Sequence, residues 1–260
     1  MTTYMHHFLS NVIVRADFVP APNSALFEVG HTLQNKCMEF FPIVELRNGQ
    51  AQEVTFDLAT GQSQLKHSLV QEWHFFSADR SHELTMTQSF LVLESRNYSN
   101  FEKFKGPFQV ILEKYLEIFQ DKKISRIGLR YIDTIDLKDD KTKKTNWHQY
   151  WSKYISSKLL GNLEFVKDDD KKLTRQMNLL ELNYERFHLK FQYGIFNEDY
   201  PAPVKKQIFI LDTDTSTSGI ISLEEIPDLL KIFHDKASNL FEISIKEPLR
   251  RKMGVVKYNG

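Results

Sequence analysis

The chain has little of what marks a secreted, membrane-embedded or low-complexity protein. Its one cysteine, Cys37, leaves no internal disulfide to form, which suits a reducing compartment. No window approaches the roughly 20 consecutive apolar residues that span a bilayer as a helix. The opening stretch MTTYMHHFLSNVIVRADF lacks a basic segment followed by a long apolar one. No signal peptide is therefore expected, and the cytoplasm is the expected location. His6 and His7 are too few for a metal tract. Glycine and proline are sparse, at 10 and 8 in 260 residues, which argues against long disordered linkers. The formal net charge is zero, so whole-chain electrostatics gives no pull towards nucleic acid, an anionic membrane or an acidic substrate.

Motifs that carry chemistry are also missing. The sequence has no GxSxG, no Walker loop, no GxGxxG opening a helix, no HExxH and no Cys/His cluster. No catalytic residue, cofactor or metal is assigned on this basis, and a non-enzymatic protein is expected. Cys37 falls on an apolar stripe with Leu26, Val29, Leu33 and Phe40, and reads as a small buried residue.

What the chain does have is apolar patterning, including 20 phenylalanines. Residues 11–18 alternate as a half-buried strand. The stripe around Cys37 reads as a helix that Pro42 stops. Residues 43–46 read as a short strand, Asn48-Gly49 as a turn, and residues 54–58 as its return. Residues 65–76 and 83–94 read as a long hairpin. In the second strand Leu84, Met86, Gln88, Phe90 and Val92 would share a face. Phe104, Phe108, Ile111, Leu112 and Tyr115 give residues 101–119 a helical apolar face, with Gly106-Pro107 as a kink or a start. Residues 124–137 alternate on Ile127, Leu129, Tyr131 and Ile135.

The charged run at residues 138–145 is the best boundary. After it come an aromatic helix face (Trp147, Tyr150, Trp151, Tyr154, Ile155) with an Asn146/Gln149 cap, and strands at 163–166, 173–184, 187–194 and 206–211. A helix follows over 227–245, which Glu247-Pro248 closes, and then a frayed tail from Gly254. The two halves share an order of elements. The expected fold class is therefore α+β, with two similar modules at 1–138 and 146–254. Each would be antiparallel strands packed by long amphipathic helices, the two held together as one pseudo-duplicated unit.

Candidate binding residues follow from residue type. Arg130, Tyr131, Asp133 and Asp136 lie on or near one strand, where period two points Arg130 away from Tyr131 and Asp133. An arginine there pairs with a carboxylate from a neighbouring element, or holds an anionic ligand group. Asp212 and Asp214 open the run DTDTSTSG, which reads as a strand-to-helix loop with Asx and Ser/Thr turns. As a calcium loop it fails, with Thr217 at position 6 and Leu223 at position 12. Arg130, Tyr131, Asp212 and Asp214 are the candidate ligand contacts. Trp147, Trp151, Tyr154, Tyr193 and Tyr200 are candidate partner contacts, although such aromatics more often fill a core or anchor loops. Acids interrupt the lysine runs at 138–144 and 167–172, so nucleic acid is not an expected partner.

Four segments carry a resemblance. They are HFLSNVIVRADF, WHFFSADRSHELTMTQSFLVLESRNYSNFEKF, RIGLRYIDTI and LLKIFHDKASNLFEISIKEPLRRKM. Together they resemble a sporadically distributed bacterial family of unknown function, over nearly the whole chain. Its most recognisable pieces here are Gly128-Leu129-Arg130-Tyr131-Ile132, residues 98–104, and Phe233-His234 with Phe241. The resemblance implies a bacterial source and a gene that moves between genomes, as defence and toxin–antitoxin genes do. It assigns no catalytic residue. The expectation is a binding, adaptor or sensor protein with a protein partner, as a homodimer and without a membrane. A small-ligand or nucleotide-binding module with hydrolytic activity is the alternative.

Overall fold

A computed structural model describes residues 3–20, 29–56, 63–137, 146–166, 172–206 and 208–257. The elements in order are β1 (Thr3–Tyr4), β2 (Leu9–Val19), α1 (His31–Met38), β3 (Ile43–Phe56), β4 (Ser63–Phe76), β5 (His82–Met86), β6 (Phe90–Ser95), α2 (Phe101–Ile118) and β7 (Lys123–Asp136). There follow α3 (Trp147–Trp151), β8 (Gln176–Asn183), β9 (His188–Ile195), β10 (Ile208–Ile221), α4 (Ile226–Ser244), α5 (Glu247–Met253) and β11 (Val255–Lys257). None of the helices is long and apolar enough to cross a membrane, among the described residues.

Among the described residues, nine strands form one sheet in the order β3-β4-β5-β6-β2-β7-β10-β9-β8, and β1 pairs separately with β11. This overturns the expected duplication. Strands from both halves of the sequence enter the same sheet, because β10 pairs beside β7 instead of opening a second one. The α+β content stands; the two similar modules do not. The chain divides instead into two compact units. One holds Met1–Val12, Leu129–Ser216 and Leu229–Gly260, the other Ile13–Gly128 and Thr217–Asp228.

In the second unit, α2 follows its apolar spacing. Phe101, Phe104, Phe108, Ile111, Leu112 and Tyr115 are buried, and the Asn100 side chain caps the helix by accepting from the Lys103 N–H at 2.9 Å. Pro107 lies inside the helix. Tyr115 stacks on Phe18 with ring centroids 4.4 Å apart, and its hydroxyl donates to the Thr87 carbonyl at 3.3 Å. Thr87 also breaks the expected long strand at 83–94. Its Oγ1 accepts from the Ser89 and Phe90 N–H groups, making a turn between β5 and β6. Leu84 and Met86 are buried before that turn, and Leu91 and Leu93 after it.

Asn48-Gly49 is not a turn. It lies inside β3, where Asn48 pairs with Gln71 and Gly49 with Val70. An Asn-Gly pair closes a hairpin only when its flanks pair with each other. Here β4, as long as β3 at 14 residues, takes the whole strand as partner.

In the first unit, Leu189, Phe191 and Ile195 of β9 and Phe209 and Leu211 of β10 face a core closed by Trp151, Leu249 and Met253. Trp151 packs on Phe209 with centroids 5.1 Å apart. Burying a side chain of this size contributes about 2–3 kcal/mol. Residues 163–166 are not a strand but part of a 3₁₀ turn over Gly161–Val166, which buries Leu163. Pro248 does not merely end a helix; it sits in the first turn of α5, where its missing N–H costs nothing. The expected frayed tail pairs over Val255–Lys257 with β1. The boundary run at 138–145 lies outside the described residues.

Candidate functional site

The run DTDTSTSG is strand, not loop: β10 continues to Ile221. Alternation explains why. Thr213 and Thr215 are buried, and their β-branched side chains suit a pleated strand. Asp212 and Asp214 then take the opposite side, in the middle of β10 rather than at its end. On that side Asp212 registers with Gln192 of β9, and Asp214 with Lys190. From β7, Arg130 reaches the same place.

Arg130 Nε donates to Asp212 Oδ1 at 2.8 Å and Nη2 to Oδ2 at 2.6 Å. This side-on, two-point pairing is the strongest geometry open to a guanidinium and a carboxylate. The Asp212 side chain is only 11% exposed and that of Arg130 is 41% exposed, so the pair is seated in the sheet with its cationic edge in water. The hydrogen bonds that Arg130 donates to Asp212, and then the charges of Asp212 and Asp214, raise the guanidinium pKa further above its ordinary value.

Arg130, Lys190, Gln192, Asp212 and Asp214 line an open concavity of about 100 Å³. Lys190 and Asp214 make no hydrogen bond or ion pair among the described residues, although they face each other in register. The set offers two cations, two carboxylates and an amide. That chemistry binds by charge and hydrogen bonding, and the volume is well below the roughly 300–1,000 Å³ of pockets that enclose a drug-sized ligand.

The structure thus brings together three of the four residues read as ligand contacts. Tyr131 lies on the other face of β7, buried, with its hydroxyl 2.8 Å from His234 Nδ1 of α4. Asp133 shares that face and is buried without a hydrogen bond among the described residues. Burial alone pushes its carboxyl up to about 8. Among the aromatic residues, Trp151 is fully buried, Tyr154 is buried, and Trp147 and Tyr193 are partly buried against the same core. Tyr200 is exposed, with the Arg175 guanidinium 4.3 Å above its ring.

Lys190 and Gln192 escaped the sequence reading. Their alternation with Leu189, Phe191 and Tyr193 marks them as outward residues of a strand, but only the β9–β10 register places them beside the aspartates. Among the described residues, no group of three or more His, Cys, Asp or Glu side chains is placed to hold a metal. The lysine runs fall outside the described residues, except for residues 172 and beyond. Compared with known proteins, the chain matches no family model and no curated protein.

Proposed function

We propose that this chain is a non-enzymatic binding protein, an adaptor or sensor, which recognises its ligand or partner on the outward side of β7, β10 and β9. One observation carries the reading: the Lys190 ammonium and the Asp214 carboxylate face each other in register with no hydrogen bond or ion pair among the described residues, next to the Arg130–Asp212 pair. Charges on a sheet surface that face each other in register would ordinarily close on one another. Left apart, they remain able to engage something else. The Arg130–Asp212 pair is already formed before binding, which lowers the ordering cost there. The family resemblance of the four segments adds a context for such a protein, a mobile bacterial defence or toxin–antitoxin-type system.

The test is capture from lysate of the protein's own host, with the natural chain and with Lys190→Glu/Asp214→Lys. The expected result is a stoichiometric partner held by the natural chain and lost by the double variant. Equal capture by both would refute this face as the recognition surface.

A second reading has its own support. Among the described residues β8 is the last strand of the sheet, and Leu179 and Leu180 on it are 54% and 44% exposed. An exposed apolar edge strand can accept an added strand from another chain. A homodimer formed in this way is the specific case, and sedimentation at increasing concentration tests it. A species that stays monomeric at every concentration would dismiss it.

A further inference from the structure

The lining of the concavity specifies a class of ligand, an inference that rests on the binding function proposed for this face. Arg130 spends Nε and Nη2 on Asp212, so Nη1 is the part of the guanidinium left to donate elsewhere. Lys190 Nζ and the Gln192 amide are further donors on the neighbouring strand. These three groups suit an anion. Asp214 is opposite Lys190 in register, at the roughly 4.5–5.5 Å Cα spacing of directly paired residues. It suits a cation.

A simple ion satisfies only half of this arrangement. An anion against Lys190 and Arg130 would also lie beside Asp214 and Asp212. A cation against Asp214 would lie beside Lys190. A divalent metal shared by Asp212 and Asp214 is disfavoured too, because both Asp212 oxygens already accept from Arg130. The lining charges sum to zero; Arg130 and Asp212 are paired, while Lys190 and Asp214 make no ion pair among the described residues. A ligand with both signs a few ångströms apart matches the two unpaired charges, Lys190 and Asp214, at once.

We infer that the concavity binds a small zwitterion, the ammonium–carboxylate head of an amino acid. Its carboxylate lies between Lys190, Gln192 and the free edge of Arg130, and its ammonium lies on Asp214. The small volume fits such a head group and excludes a nucleotide enclosed whole. Nothing reacts in the site: the ligand is held by charge, and its side chain projects into solvent.

Amide-resolved NMR titrations of the full chain with glycine, acetate and methylammonium test this. The amides of Lys190, Gln192 and Asp214 should shift with glycine, and at about tenfold lower concentration than with either single-charge probe. Asp214→Asn should remove the advantage of glycine over acetate. Lys190→Met should remove its advantage over methylammonium. Neither side chain has a hydrogen bond or ion pair among the described residues, so the rest of the spectrum should stay unchanged. Acetate acting as well as glycine, with Asp214→Asn having no effect, would overturn the inference in favour of an anion site. No shift with any probe would also overturn it. If the Lys190→Glu/Asp214→Lys variant loses its captured partner while glycine gives no response, the binding function survives and the zwitterion does not. A glycine response with capture unaffected would leave the zwitterion site standing and remove the partner from this face.

Discussion

Replacing Asp133 by asparagine should stabilise the protein in a way that depends on pH. The carboxyl is buried on the core side of β7 and has no hydrogen bond among the described residues. Burial raises its pKa from 3.8 to about 8. Between those values the folded protein holds a proton that the unfolded chain releases. Stability contributed by this group is therefore fully present below the ordinary carboxyl value, and it is lost as pH rises towards the folded value. Each pH unit in the window lowers stability by about 1.4 kcal/mol. At pH 7 the accumulated loss is about 4 kcal/mol, relative to a group that does not titrate. Asparagine keeps the shape and stays neutral. In urea unfolding at a series of pH values, the stability gap between Asp133→Asn and the natural chain should widen by about 3–4 kcal/mol from pH 5 to pH 8, and then level off. Other titrating groups cancel in that difference. A gap that stays flat with pH would refute the buried, unpartnered carboxyl.

Three further outcomes follow from local geometry. Gly194 has φ +144°, and a Cβ there would come within 2.0 Å of the Gln176 carbonyl oxygen, so Gly194→Ala should cost about 3 kcal/mol or more in chemical denaturation. Burial pushes the Cys37 thiol up to about 12, so the native protein should resist alkylation at pH 8 and the unfolded chain should react at once. Asn100→Ala should lower stability by about 1 kcal/mol, while Asn100→Asp should keep the cap of α2.

Those parts of the fold that rest on unbroken periodicity were legible in the sequence. β7 alternates Ile127, Leu129, Tyr131 and Ile135, and α2 spaces its phenylalanines by three and four; both lie within about a residue of expectation. Local turn chemistry misled wherever a distant partner overruled it. Asn48-Gly49 was absorbed into β3 because β4 offered a full-length ladder. The DTDTSTSG run was drawn into β10 because every second residue, Thr213 and Thr215, could be buried. The expected duplication failed for a related reason. The order of elements along a chain does not say which strands become neighbours, and the β7–β10 pairing decides it.

The site was half readable on the same terms. Arg130, Asp212 and Asp214 stand out by residue type, since charges inside apolar strands need partners. Lys190 and Gln192 do not, because an outward polar residue is ordinary until the register shows what lies beside it. Tyr131 neighbours Arg130 in sequence, but strand period sends the two to opposite faces.

Amide hydrogen exchange, measured with and without whatever the protein captures from its host, tests the recognition face most directly. Added protection should fall on residues 188–195 of β9, on residues 208–216 of β10 and around Arg130 of β7. Protection confined to other elements, with these strands unchanged, would contradict the assignment of binding to this face.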